Sequence, residues 1–222
     1  MFITQEVQYK NLRYLLAVHE TCSEPGRRYP TLLYLHGAGS RGEDLNVIRG
    51  SSFFRNAFEQ DIALRIIAPQ CFADTWFDLF EQLIDFAQNV ASDPAVDPER
   101  YYLSGVSMGG YAAWQLAMSL PDLFAAVTPV CGGGMYWNAQ RLKNTPIWAF
   151  HGKIDSTVLV SESIHMVEAV NANGGHAKLT IYPDAGHNAW DPTFSDPAYW
   201  IWLLQQTKGM QAAGKAVYSH GV

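Results

Sequence analysis

The pentapeptide Gly105-Val106-Ser107-Met108-Gly109 sets a hydroxyl between two glycines, and its flanks give that hydroxyl a chemistry. A short apolar run over 101–103 reads as a buried strand. Residues 110–120, apolar and alanine-rich, read as a helix stopped by Pro121. Strand, sharp turn with serine at its apex, then helix is the context in which this spacing builds a nucleophile. The apical residue takes strained backbone angles that lift its hydroxyl above the sheet. Strand and helix pass close on either side, so the positions two before and two after must lack bulk. Gly105 and Gly109 meet that need. The competing reading is a glycine-rich turn whose serine only caps the helix.

A serine hydroxyl is a weak nucleophile at neutral pH and needs a base at hydrogen-bond distance. Histidine occurs at 19, 36, 151, 165, 176, 187 and 220. His187 alone sits in a glycine-rich turn directly after a late strand, in Pro183-Asp184-Ala185-Gly186-His187. His165 falls mid-helix and His176 before a strand, positions that suit surface or packing roles. His36 and His151 each precede a glycine at a strand end and read as loop braces. The acid is Asp155, a few residues past a strand over 146–150; Asp184 and Asp191 flank His187 closely and stay open as alternatives. In these roles His187 takes the serine proton and returns it to the leaving group, while Asp155 holds the imidazole tautomer and stabilises its protonated form. A tetrahedral intermediate also needs donors for its oxyanion. The backbone N–H of Met108 is one. The second is the N–H of Ala38 in His36-Gly37-Ala38-Gly39, whose glycines let the chain fold back toward Ser107. A plain tight turn is the competing reading there.

These residues need a scaffold that brings distant loops together. Continuous apolar runs over 31–35 and 62–68 read as strands buried on both faces. Further strands are expected over 12–18, 101–103, 124–130, 146–150 and 178–182. Helical periodicity falls on 79–90, 110–120, 161–171 and 198–206. Strands alternating with helices predict a mostly parallel sheet with helices on both faces. In such a sheet ligands sit beyond the carboxyl ends of the strands. Four strands end there in polar loops: 36–44, Ser107, Asp155 and His187. The order Ser, Asp, His is the one an α/β-hydrolase sheet uses.

Composition narrows the class. Of 222 residues, 48% are hydrophobic and 16% charged, which suits a large core rather than disorder. The net charge is −6 and no basic run occurs, so nucleic acid and anionic membrane are not expected partners. Three cysteines, Cys22, Cys71 and Cys131, form no C-x-x-C pair and read as free thiols. No h-region opens the chain and no run reaches 18 apolar residues, so a cytoplasmic location is expected. No H-E-x-x-H or similar ligand pair appears, and no metal is expected. One domain is expected over 1–222, with its core about 10–206 and a tail over 207–222 that frays.

Five segments together, LYLHGAGSRGED, APQC, GVSMGGYAAW, HGKIDSTV and DAGHNAW, resemble the compact serine esterases of the α/β-hydrolase superfamily. The nearest groups are the phospholipase/carboxylesterase family and the predicted-peptidase, feruloyl- and polyhydroxybutyrate-depolymerase-like esterases beside it. The resemblance runs from about 31 to 202. It implies a Ser107, Asp155, His187 triad, an oxyanion hole at Ala38 and Met108, and no metal or organic cofactor. The related dienelactone hydrolases carry cysteine as nucleophile, and Ser107 departs from that pattern.

The expected activity is hydrolysis of carboxylic esters through an acyl-enzyme. Two alternatives stay open: a serine peptidase of the same fold, and a catalytically silent hydrolase-fold binding protein. The insert over 132–146 is short, so no large lid domain is expected and the cleft should admit bulky groups. Trp76, Trp137 and Trp190 lie near the polar loops and would form an aromatic wall for an aryl or sugar-linked ester; core or rim packing is the competing reading for each. Arg41 or Lys153 could draw in an anionic substrate. The expected partner is a small-molecule ester, and the oligomeric state is not encoded in these patterns.

Overall fold

The computed structural model describes residues 1–209. Eight strands form one sheet: β1 (Phe2–Tyr9), β2 (Leu12–His19), β3 (Tyr29–Leu35), β4 (Arg65–Pro69), β5 (Val96–Val106), β6 (Ala126–Val130), β7 (Ile147–Gly152) and β8 (Ala177–Tyr182). Their spatial order is β1-β2-β4-β3-β5-β6-β7-β8. The pairs β1–β2 and β2–β4 are antiparallel, and the remaining pairs are parallel. Among the described residues seven α-helices cover it: α1 (Leu45–Arg49), α2 (Ser52–Glu59), α3 (Phe80–Ala91), α4 (Met108–Ser119), α5 (Ser161–Ala172), α6 (Trp190–Ser195) and α7 (Pro197–Gln205).

The unbroken apolar runs have a direct cause. Every residue of β3 is buried. Leu33 and Leu35 point into one core with residues of α3, α4 and α5. Leu32 and Tyr34 point into the other with residues of α1, α2, α6 and α7. Two covered faces leave no solvent-facing position, which is why parallel central strands lose the alternation seen at sheet edges; such polar side chains as Thr31, Ser104 and Thr128 are buried there and hydrogen-bonded. Helix α4 is apolar nearly all round because it lies against the sheet with Ala112, Ala113, Trp114, Leu116 and Ala117 all buried.

Some elements differ from expectation. The sheet begins at Phe2 rather than near residue 10, because β1 pairs with β2 along its whole length. It is an edge strand, half exposed and largely polar, so it lacks an apolar run. Helices α1, α2 and α6 were not anticipated; α1 and α2 are short and rely on side-chain caps, Asp44 accepting from the Asn46 N–H and Ser51 from the Phe54 N–H. Between β6 and β7 the chain makes a 3-10 helix, Tyr136–Leu142, and no inserted lid domain occurs among the described residues. The tail expected to fray lies, from residue 210 on, outside the described residues. No helix among those described is long and apolar enough to cross a membrane.

Candidate active site

Ser107 is the hinge between β5 and α4, with φ 53° and ψ −117°, a backbone conformation that side chains rarely adopt. The strain is held by its neighbours. The Ser107 N–H donates to the Val130 carbonyl (2.9 Å), and the Tyr111 N–H donates to the Ser107 carbonyl (3.0 Å). The flanking glycines are sterically required. A methyl on Gly105 would lie 2.1 Å from the Gly109 carbonyl oxygen, and one on Gly109 would lie 2.0 Å from that of Leu35.

Ser107 Oγ lies 2.8 Å from His187 Nε2, and His187 Nδ1 lies 2.7 Å from Asp155 Oδ2. A carboxylate only accepts, so Nδ1 carries the proton and Nε2 is free to accept from the serine hydroxyl. Asp155 Oδ1 takes the N–H groups of Thr157 and Val158, each at 2.9 Å. Burial alone would raise the Asp155 pKa. The hydrogen bonds from His187, Val158 and Thr157 outweigh it and hold the carboxyl below its ordinary value. The structure thus pairs His187 with Asp155 and with neither Asp184 nor Asp191.

The loop after β3 folds over the serine: a methyl built on Gly37 would lie 3.5 Å from Ser107 Cβ. Ala38 opens a single 3-10 turn, Ala38–Ser40, and Met108 opens α4. First N–H groups of helical turns lack partners within the turn, so both are suited to receive an anion. The loop is fixed by side chains. His36 Nδ1–H donates to the Gly37 carbonyl (2.7 Å) while its Nε2 accepts the Cys71 N–H (2.9 Å). Burial pushes the His36 pKa down to about 4, which keeps the ring neutral. Arg41 Nε donates to the Ala38 carbonyl (2.9 Å), its other arm to the Asp74 carbonyl (2.8 Å), and Gln70 Nε2 to the Ser40 carbonyl (3.0 Å). Arg41 is committed to this loop. His151 is likewise a brace, against Ser163 Oγ (2.7 Å) and the Val158 carbonyl (2.9 Å).

The three tryptophans part company. Trp76 is wholly buried, its Nε1–H donating to the His36 carbonyl at 3.0 Å. It therefore cannot meet a ligand, and the expectation that it binds substrate is corrected: apolar surroundings and one buried acceptor make it a loop strut. Trp137 is 71% exposed on the 3-10 helix and touches none of the triad residues through any hydrogen bond or ring contact. Trp190 stands edge-on to His187, ring centroids 5.3 Å apart. Sequence reading missed Tyr111, one helical turn past Ser107, although that spacing alone places it on the serine's side of α4.

Among the described residues the groups closest to a metal-binding arrangement are Cys131, His151 and Asp155, with ligand atoms all within 4.8 Å. They do not fit one well. Burial pushes the Cys131 thiol up to about 12, so it stays protonated, and Asp155 is already committed to His187. A cavity of about 470 Å³ lined by Lys143, His176 and Lys208 lies at the opposite, amino ends of β6, β7 and β8 and touches none of the site residues.

A dipeptidyl-peptidase 5 of Porphyromonas gingivalis is 24% identical over 76% of this chain and 32% of its own length. A protein of Escherichia coli O157:H7 named as a carboxymethylenebutenolidase is 27% identical over 47% of this chain and 42% of its own. A solved thermostable esterase is 29% identical with TM-score 0.80, covering 93% of this chain and 63% of that one. The chain thus spans less than two thirds of each of these relatives. Residues 56–195, well over half of the sequence and including Ser107, Asp155 and His187, match one family throughout, and the chain belongs to the dienelactone hydrolase family, with serine at the apex of its turn.

Proposed function

We propose that this chain is a serine carboxylesterase acting through an acyl-enzyme. The observation that carries the reading is the unbroken line from Ser107 Oγ through His187 to the buried carboxylate of Asp155, at 2.8 and 2.7 Å. Ser107 Oγ attacks the ester carbonyl as His187 Nε2 takes its proton, and the oxyanion rests on the Ala38 and Met108 N–H groups. The tetrahedral intermediate collapses and His187 protonates the departing alcohol. Water then attacks the acyl carbonyl, with His187 again as base, and Ser107 is released. Every proton moves through His187, so this chemistry needs no metal or organic cofactor. The partner is a small-molecule ester.

The test is turnover of p-nitrophenyl acetate by the wild type beside Ser107→Ala, with stoichiometric labelling by a fluorophosphonate. Equal turnover in both would end the proposal. The Porphyromonas gingivalis relative supports a second reading, a serine peptidase, in which the amine leaving group needs stronger protonation by His187. Matched ester and amide substrates separate the two. A folded chain that takes no fluorophosphonate would instead be a silent hydrolase-fold binding protein.

A further inference from the structure

A groove of about 560 Å³ runs outward from the nucleophile's own helix. Phe77 and Phe80 form one wall, Tyr111 and Gln115 the next, and Met135 and Glu162 the far side. None of Ser107, Met108, Ala38 and His187 lines it, but two of its walls are tied to the serine's turn through the backbone. Tyr111 follows Ser107 by one turn and donates to its carbonyl, and the loop bearing Met135 leaves β6 at Val130, whose carbonyl holds the Ser107 N–H.

Its chemistry is one-sided. Phe77 and Phe80 are stacked, centroids 5.9 Å apart at 27°, and Phe77 and Met135 are 50% and 38% exposed although apolar. Aromatic walls with exposed faces suit a flat ring. The Glu162 carboxylate lies across Gly133, close enough that a methyl there would sit 2.3 Å from its Oε2. No Lys, Arg or His lines the groove among the described residues. The Tyr111 pKa is raised, by burial first and then by Glu162, so its hydroxyl stays protonated and uncharged. Arg41, the cation expected to attract anions, has its guanidinium bound to two carbonyls.

Resting on the esterase reading above, we propose that this groove holds an uncharged aryl group of the substrate ester and that Glu162 turns away esters bearing a carboxylate at that position. The occupant is a neutral ring because the walls stack and the single formal charge is negative. A negative substrate group beside Glu162 would meet like-charge repulsion, with no cation in the groove lining to offset it.

The test uses two matched pairs: methyl cinnamate against methyl 4-carboxycinnamate for the acyl side, and phenyl acetate against 4-carboxyphenyl acetate for the alcohol side. Methyl acetate is the small reference. In one pair the wild type should favour the neutral member by about tenfold or more in kcat/KM. Glu162→Gln should shrink that ratio at least about fivefold, and Phe77→Ala should lower the aryl-to-methyl-acetate ratio by a similar factor. Phe77 is half exposed, so its variant keeps the fold if Glu162→Gln does not. No preference in either pair, or ratios that neither variant moves, would overturn the groove assignment while leaving Ser107-dependent turnover intact. Absence of Ser107-dependent turnover of phenyl acetate would instead defeat the esterase reading beneath it.

Discussion

His36 offers the most quantitative test of how the loop over Ser107 is built. Its two ring nitrogens face opposite kinds of partner: Nδ1 meets the Gly37 carbonyl and Nε2 meets the Cys71 N–H. Only the neutral Nδ1–H tautomer satisfies both. Protonation would set an N–H against an N–H inside a site where the side chain is 2% exposed. The folded pKa accordingly falls from 6.5 to about 4, with burial as the main cause. The folded state binds fewer protons than the unfolded one, so stability is fully present above pH 6.5 and is lost as pH falls from there toward 4. The complete displacement is worth about 3 kcal/mol, of which about 2 kcal/mol is expressed between pH 7.5 and 5.0. Urea unfolding of the wild type and of His36→Gln at those two pH values isolates this ring, because the other histidines titrate in both proteins. The wild type should lose about 2 kcal/mol more than the variant over the interval. Proton NMR of the wild-type imidazole reads the same quantity without a variant. Equal losses, or a His36 ring that titrates near 6.5 in the folded protein, would refute the reasoning.

Further outcomes follow from Ser107, Asp155 and Trp76. Ser107→Ala should lower kcat on p-nitrophenyl acetate by roughly 10⁴-fold or more. Ser107→Gly should be just as inactive yet melt higher, since glycine relieves a positive φ that costs about 1 kcal/mol or more; a lower melting temperature in that variant argues against strain at the turn. Asp155→Asn should cut kcat by about 10³–10⁴-fold, because the amide favours the wrong imidazole tautomer. Asp155 has a depressed folded pKa, so its stabilisation exists above the unfolded carboxylate pKa and disappears as pH falls through the folded one. Wild type and Asp155→Asn should therefore converge in stability in strong acid, and a constant gap down to pH 2 would count against it. Trp76→Phe should destabilise the fold by about 1–3 kcal/mol through the orphaned His36 carbonyl, while leaving aryl-to-alkyl substrate ratios unmoved. A changed ratio would restore Trp76 as a binding residue.

What could be read from the chain divides along physical lines. The turn at Ser107 was legible because it is specified by what is missing. A side chain at Gly105 or Gly109 would strike backbone, so the glycines mark the crossing wherever it occurs. The central strands were legible because burial on both faces leaves an unbroken apolar run. His187 and Asp155 followed from lying just past such runs, at the end of the sheet where loops gather. Edge strand β1 and helices α1, α2 and α6 were not legible. They are short or half exposed and owe their shape to caps and to neighbours far along the chain.

The three tryptophans show where this kind of reading stops. Each lies within a few residues of a polar loop, yet one is a buried strut, one stands beside the histidine and one is exposed to solvent. Backbone sterics act on neighbours in sequence, so a nucleophile's turn writes itself into five residues. The groove proposed for the substrate is assembled from side chains on separate elements: Phe77 before α3, Tyr111 on α4, Met135 after β6 and Glu162 on α5. Any of these can be exchanged without disturbing the turn. The proposed chemistry is therefore written locally and the proposed selectivity globally, and the charge of Glu162 only acquires meaning once the fold sets it beside Phe77, Phe80 and Tyr111 in a groove lined by no cation.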